Sequence, residues 1–174
     1  IFLYRTVDGE LMFRKDLKAK TAAVELSDDE PSSIRFTRDG KYIYFMEGYG
    51  SSDETADLYR METAKIGKKG ASPEKVSSDV NRYSLRLLPS GGAVYVRGGE
   101  DGQLRFFDGK ESYKLASDVN GYGFSIDEKG AYAYYTESDP SDYTLALYRV
   151  QIKDGGTKEK LLKDADAIYT DYDA

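Results

Sequence analysis

The chain contains no cysteine, no histidine and no tryptophan. Without cysteine there are no disulfides, thiolate nucleophiles or cysteine-ligated zinc sites. Without histidine it lacks the side chain that most often moves protons near neutral pH and most often ligates metals, which argues against many enzyme classes. No apolar run approaches the roughly 18 residues of a membrane-spanning helix, so no membrane insertion is expected of this segment. Positive charge is in the minority: 25 Lys and Arg face 31 Asp and Glu, for a net charge of −6. That balance repels a phosphate backbone, and the expectation is no nucleic-acid partner. Ile1 stands where an initiator Met would, so a processed product or an excised domain is expected, with any leader or anchor outside these residues.

What is present is repetition. Ser78-Asp79-Val80-Asn81-Arg82-Tyr83 returns as Ser117-Asp118-Val119-Asn120-Gly121-Tyr122, each time between one set of short apolar runs and the next. Residues 34–37, 42–46, 57–61 and 74–76 read as four strands before the first of these joints. Residues 83–88, 93–97, 103–107 and 111–115 follow, and then 122–126, 131–136, 144–152 and 160–162. The second strands are rich in Tyr and Ile, which suit a pleated, half-buried surface. Helical periodicity leaves only 155–166 as a place for a short helical turn. Leu58-Tyr59-Arg60 recurs in phase as Leu147-Tyr148-Arg149, with Leu104-Arg105-Phe106 and Leu11-Met12-Phe13 at equivalent places. Joints beginning at Ser27, Ser78, Ser117 and Asp164 have the spacing of four-stranded propeller blades.

The expected fold is therefore all-β: a β-propeller of about four antiparallel blades, with units at 1–31, 32–81, 82–120 and 121–166. The first unit has only three strands, 2–6, 10–14 and 21–26, while 167–172 reads as an opening strand without a blade. Pairing of the two ends would close a four-bladed ring and remove two sheet edges. The alternatives are an arc of a larger propeller and a homodimer of two arcs.

The run Ser33-Ile34-Arg35-Phe36-Thr37-Arg38-Asp39-Gly40-Lys41-Tyr42-Ile43-Tyr44-Phe45 resembles the TolB-like, or WD40-like, β-propeller repeat, in which an aspartate-glycine-lysine turn joins the first two strands of a blade. Asp127-Glu128-Lys129-Gly130 and Pro89-Ser90-Gly91-Gly92 keep a glycine without the full motif. The resemblance implies an extracytoplasmic bacterial domain acting as a binding platform or as an accessory domain beside a peptidase, and it implies fold more than function.

Joint residues are expected on one face near the axis. Asp28, Asp29, Glu30, Asp79, Asn81, Asp118, Asn120, Asp164 and Asp166 would lie there, where a ring of oxygen donors could hold Ca²⁺. The competing reading has these side chains accepting hydrogen bonds from their own turns, with no cofactor at all. Tyr49, Tyr143, Tyr169 and Tyr172 are candidate exposed stacking platforms for a sugar or peptide. Together with the loops 48–56 and 137–143, these residues define a noncatalytic binding module for a protein, peptide or glycan ligand. The rival readings are a carbohydrate-active enzyme using paired carboxylates on the channel and an architectural spacer.

Overall fold

The computed structural model describes residues 2–16, 18, 20, 22–29, 31–48, 53–99, 101–138 and 144–165. All the regular structure among them is β, apart from one 3₁₀ turn at Thr63–Lys65. Blade 1 comprises β1 (Phe2–Arg5), β2 (Leu11–Arg14) and β3 (Val24–Ser27). Blade 2 is β4 (Ser32–Phe36), β5 (Tyr42–Glu47), β6 (Thr55–Glu62) and β7 (Glu74–Asn81). Blade 3 is β8 (Arg86–Leu87), β9 (Ala93–Arg97), β10 (Gly102–Phe107) and β11 (Ser112–Val119). Blade 4 is β12 (Phe124–Ile126), β13 (Tyr132–Ser138), β14 (Leu145–Gln151) and β15 (Lys158–Ala165). Within each blade, successive strands pair antiparallel.

The blades stack face to face in chain order, and their side-chain alternation shows why. Ile43 and Phe45 of β5 point back to Leu11 and Phe13 of blade 1, while Tyr44 and Met46 point forward to Ala93 and Tyr95 of blade 3. Val94 and Val96 in turn meet Ala133 and Tyr135 of blade 4. A continuous apolar run such as Tyr42–Met46 is thus a strand covered on both faces. The three innermost strands β4, β8 and β12 bring Phe36, Leu87 and Ile126 to a common cavity of about 330 Å³.

One glycine-closed turn recurs at the foot of these blades. Gly40, Gly91 and Gly130 take φ of 68°, 88° and 66°, and each donates its N–H to the carbonyl three residues earlier. That left-handed conformation is what glycine supplies at low cost. In the first turn Asp39 Oδ1 accepts from Lys41 N (3.0 Å) and from Thr37 Oγ1 (2.8 Å). These bonds and the Lys41 ammonium hold the Asp39 carboxyl down at about 2.

Three expectations need correction. Ser-Asp-Val-Asn is not a loop between strands: β7 runs through Asn81 and β11 through Val119, so the joint motif lies inside the outer strand. The outer strand of blade 4, expected at 160–162, is longer and runs over Lys158–Ala165, because β14 offers a ladder along that whole length. The inner strands are also shorter, starting at Arg86 and Phe124, which frees Tyr83 and Tyr122 for the joint. The proposed closing strand 167–172 lies outside the described residues.

Tyr44 gives the seam between blades 2 and 3 a pH dependence. It is fully buried, its hydroxyl donates to the Gly91 carbonyl (2.9 Å), and burial pushes its pKa up from 10.0 to about 12. The stabilisation is complete below pH 10 and is lost as pH rises towards 12, because the unfolded phenol ionises first; a shift of this size corresponds to about 3 kcal/mol. Urea midpoints of the wild type should fall across this range more steeply than those of Tyr44→Phe. Parallel curves would refute the assignment.

Candidate functional site

The joints are built from a register slip. Ala56 pairs with Val80 but Leu58 with Ser77, so Asp57 faces both Ser78 and Asp79. Gln103 likewise faces Ser117 and Asp118, and Ala146 faces Lys163 and Asp164. The second extra residue is each time an aspartate at positive φ: 59° at Asp79, 57° at Asp118 and 54° at Asp164. Aspartate is one of the few side chains that tolerates this region. The resulting bulge sharpens the strand's twist and steers the chain towards the next inner strand.

Asn81 and Asn120 then tighten the turn that follows. Tyr83 N donates to Asn81 Oδ1 (3.0 Å) and Tyr122 N to Asn120 Oδ1 (2.8 Å). Asn81 is buried, with its Nδ2 unpaired among the described residues. Its side chain lies against Gly121 so closely that a β-carbon there would sit 2.3 Å from Asn81 Cγ. This contact explains why the second joint has glycine where the first has Arg82. The two turns present Tyr83 and Tyr122 as a stacked pair, centroids 4.8 Å apart and planes at 24°, each about half exposed.

Arg82 ties the neighbouring loops to this face. Its Nε donates to the Asp53 carbonyl (3.2 Å), Nη1 to Ser32 Oγ (3.1 Å) and Nη2 to the Gly48 carbonyl, while its own carbonyl accepts from Ser33 Oγ (2.7 Å). Tyr49 and Tyr143, proposed as stacking residues, lie outside the described residues.

The blades diverge chemically at one position. In blade 2, Thr55 Oγ1 donates to Asp79 Oδ1 (2.8 Å), which satisfies the carboxylate within the blade. The strand register puts Thr144 at the corresponding place in blade 4 but Asp101 in blade 3. A second carboxylate therefore stands where Asp118 would need a hydroxyl, and Asp118 has no side-chain hydrogen bond among the described residues. Both acids line a cleft of about 840 Å³ between blades 3 and 4, shared with Lys114, Glu137, Ser138 and Lys158. Lys158 Nζ is 2.5 Å from Glu137 Oε1 and 3.9 Å from the Tyr148 ring centroid. Burial opposes its charge, but the bond to Glu137 and contact with Tyr135 outweigh this and raise its pKa.

Of the expected site residues, Asp79, Asn81 and Asn120 thus serve the turn and bulge backbone, and Asp118 opens onto the cleft. Among the described residues no three acidic side chains converge as a metal cluster would require. None of their helices is long and apolar enough to cross a membrane. Arg82, Asp101, Lys114 and Lys158 were not anticipated. The position of Asp101 was nonetheless legible, as the one acid in the series Thr55, Asp101, Thr144.

Stacked antiparallel blades, repeated bulged outer strands and a shared axial cavity define β-propeller architecture. Solved structures agree. A prolyl endopeptidase superposes with a TM-score of 0.56 at 14% identity, over 94% of this chain and 28% of its own. TolB from Acinetobacter baumannii gives 0.51 at 12%, over 90% of this chain and 42% of its own. Prolyl oligopeptidase B from Galerina marginata gives 0.52 at 12%, over 92% and 31%. The chain thus spans less than half the length of each. No family model and no curated protein matches it.

Proposed function

We propose that the chain is a noncatalytic binding module of TolB-like propeller character, displayed outside the cytoplasm, that recognises a protein, peptide or glycan at the cleft between blades 3 and 4. The observation that carries the reading is the Asp101 and Asp118 pair. Blade 2 quenches its bulge aspartate with Thr55, whereas blade 3 leaves the equivalent carboxylate open to solvent beside Lys114. A polar cleft with charges of both signs suits a ligand that brings its own hydrogen-bonding groups. The stacked Tyr83 and Tyr122 on the joint face add an aromatic surface of the kind sugars and peptide rings pack against.

Peptide and glycan arrays probed with the wild-type chain and with Asp101→Thr test this. The threonine copies the blade 2 arrangement, so the fold should be as stable as before or more so. Affinity for the array ligands should fall about tenfold, the effect of roughly 1.4 kcal/mol. Unchanged binding would remove the cleft from the reading. Turnover of a glycan ligand that disappears in Asp118→Asn would replace the module with an enzyme.

A further inference from the structure

The forward face of blade 4, the one turned away from blade 3, carries the same set of side chains with which blade 2 holds blade 3. In blade 2, Arg60 pairs across the ladder with Tyr44 and Glu74, and Leu58 pairs with Met46. In blade 4, Arg149 pairs with Tyr134 and Glu159, and Leu147 with Thr136. Arg60 bonds Glu74 at 2.6 Å and lies 4.6 Å from the Tyr42 ring centroid. Arg149 bonds Glu159 at 2.8 Å and lies 5.0 Å from that of Tyr132. Burial opposes the Arg60 charge, but its bond to Glu74 outweighs this and raises its pKa, as the bond to Glu159 does for Arg149.

The difference lies in what sits on top. Arg60 also donates to the Gly109 carbonyl (3.1 Å) and stacks on Phe107 (4.8 Å), and Tyr44 reaches Gly91, all in blade 3. Its side chain is 10% exposed against 36% for Arg149. Tyr44, Met46 and Leu58 are fully buried, whereas Tyr134, Thr136 and Leu147 are only partly covered and Leu161 and Leu162 are exposed.

We infer that this forward face of blade 4 is a docking surface whose occupant is a further four-stranded β-blade with the rear-face chemistry of blade 3: a small residue and a tyrosine on its second strand, and an aromatic at the end of its third strand followed by an Asp-Gly turn. The interface would continue the three seams already present. A second copy of this chain fits poorly, because the rear face of blade 1 is differently built. By register, Phe2 stands where blade 3 has Ala93, and Arg14 where it has Phe107. Docking it would crowd a phenylalanine into a small-residue position and set Arg14 against Arg149, a mismatch that discriminates between partners. The inference concerns a different surface from the ligand cleft and stands independently of it.

The test supplies such a blade in the same polypeptide. Residues 82–120 are repeated in place of 167–174, which keeps the repeat in phase, and Tyr134→Lys is introduced into both the natural and the extended chain. In the extended chain the substitution should lower the folding equilibrium constant about 30-fold, as loss of a buried contact does, and in the natural chain by less than about threefold. Equal effects in the two, proteolysis confined to the added unit, or an extended chain that does not fold would overturn the proposal. Sedimentation equilibrium of the natural chain should give the 19.5 kDa monomer. A dimer dissolved by Tyr134→Lys would make the occupant a second copy and overturn the assignment of a blade 3-like partner.

Discussion

Arg60→Ala is expected to destabilise the chain by about 3 kcal/mol, while Arg149→Ala costs less than about 1 kcal/mol. The two arginines have the same ladder partners and the same carboxylate bond, so a count of contacts within the blade would predict equal losses. What separates them is blade 3. Removing Arg60 strips the stem and guanidinium from between the Tyr42 and Phe107 rings and takes a donor from the Gly109 carbonyl. Stacking of a partly desolvated cation on aromatics contributes about 0.5–2 kcal/mol, and a carbonyl left without its donor costs about 1–3 kcal/mol. Glu74 adds little to the loss, since its side chain is 55% exposed and water can replace the arginine. Denaturant titration of the two variants under one set of conditions checks the difference, and similar midpoints would show that the seam between blades 2 and 3 is not held by Arg60.

Gly121→Ala should cost about 1–3 kcal/mol, the range for overpacking a filled interior. The added methyl meets Asn81, which has nowhere to retreat: its Oδ1 is engaged by the Tyr83 N–H, and Ser84 N and Oγ both donate to its carbonyl at 3.1 and 2.8 Å. The clash should push the two joints apart and unstack Tyr83 from Tyr122. A double-mutant cycle with Asn81→Gly isolates this contact, because the methyl should be nearly harmless once the amide is gone. Strict additivity, or near-ultraviolet dichroism unchanged in Gly121→Ala, would contradict the geometry.

The blades were legible wherever local chemistry and pairing agree. Asp39-Gly40 announces a turn, and the tyrosine- and isoleucine-rich run after it announces a strand buried on both sides. Reading failed where the same residue types serve two ends. Ser78-Asp79 looks like a loop because aspartate with a left-handed backbone is a turn signature, yet here the turn-like residue is a bulge within β7. Nothing local reveals that Asp57 faces two residues instead of one. The strand at 160–162 was read too short, because its flanks from Lys158 to Ala165 are good helix formers that only the ladder offered by β14 holds extended.

The candidate site was half visible for a similar reason. Asn81 and Asn120 drew notice as polar residues of the repeated joint, but their commitment to the turn backbone depends on geometry. Arg60 was noticed as part of a Leu-Tyr-Arg echo, and its bridging role appears only when two blades are stacked. Asp101 sat in a glycine-rich loop by composition, and its meaning comes from comparing the same register position across three blades.

Among the described residues, main-chain hydrogen bonds cross between blades at the seam of blades 2 and 3. Val80 pairs with Arg97, and Gly98 N donates to the Asp79 carbonyl at 2.7 Å, so the backbones of blades 2 and 3 are joined by main-chain hydrogen bonds as well as by packed side chains. Stacked repeats usually communicate through nearest-neighbour contacts alone, so each can fray by itself. Blades 2 and 3, bonded through their backbones, should therefore open together as a double-width cooperative block.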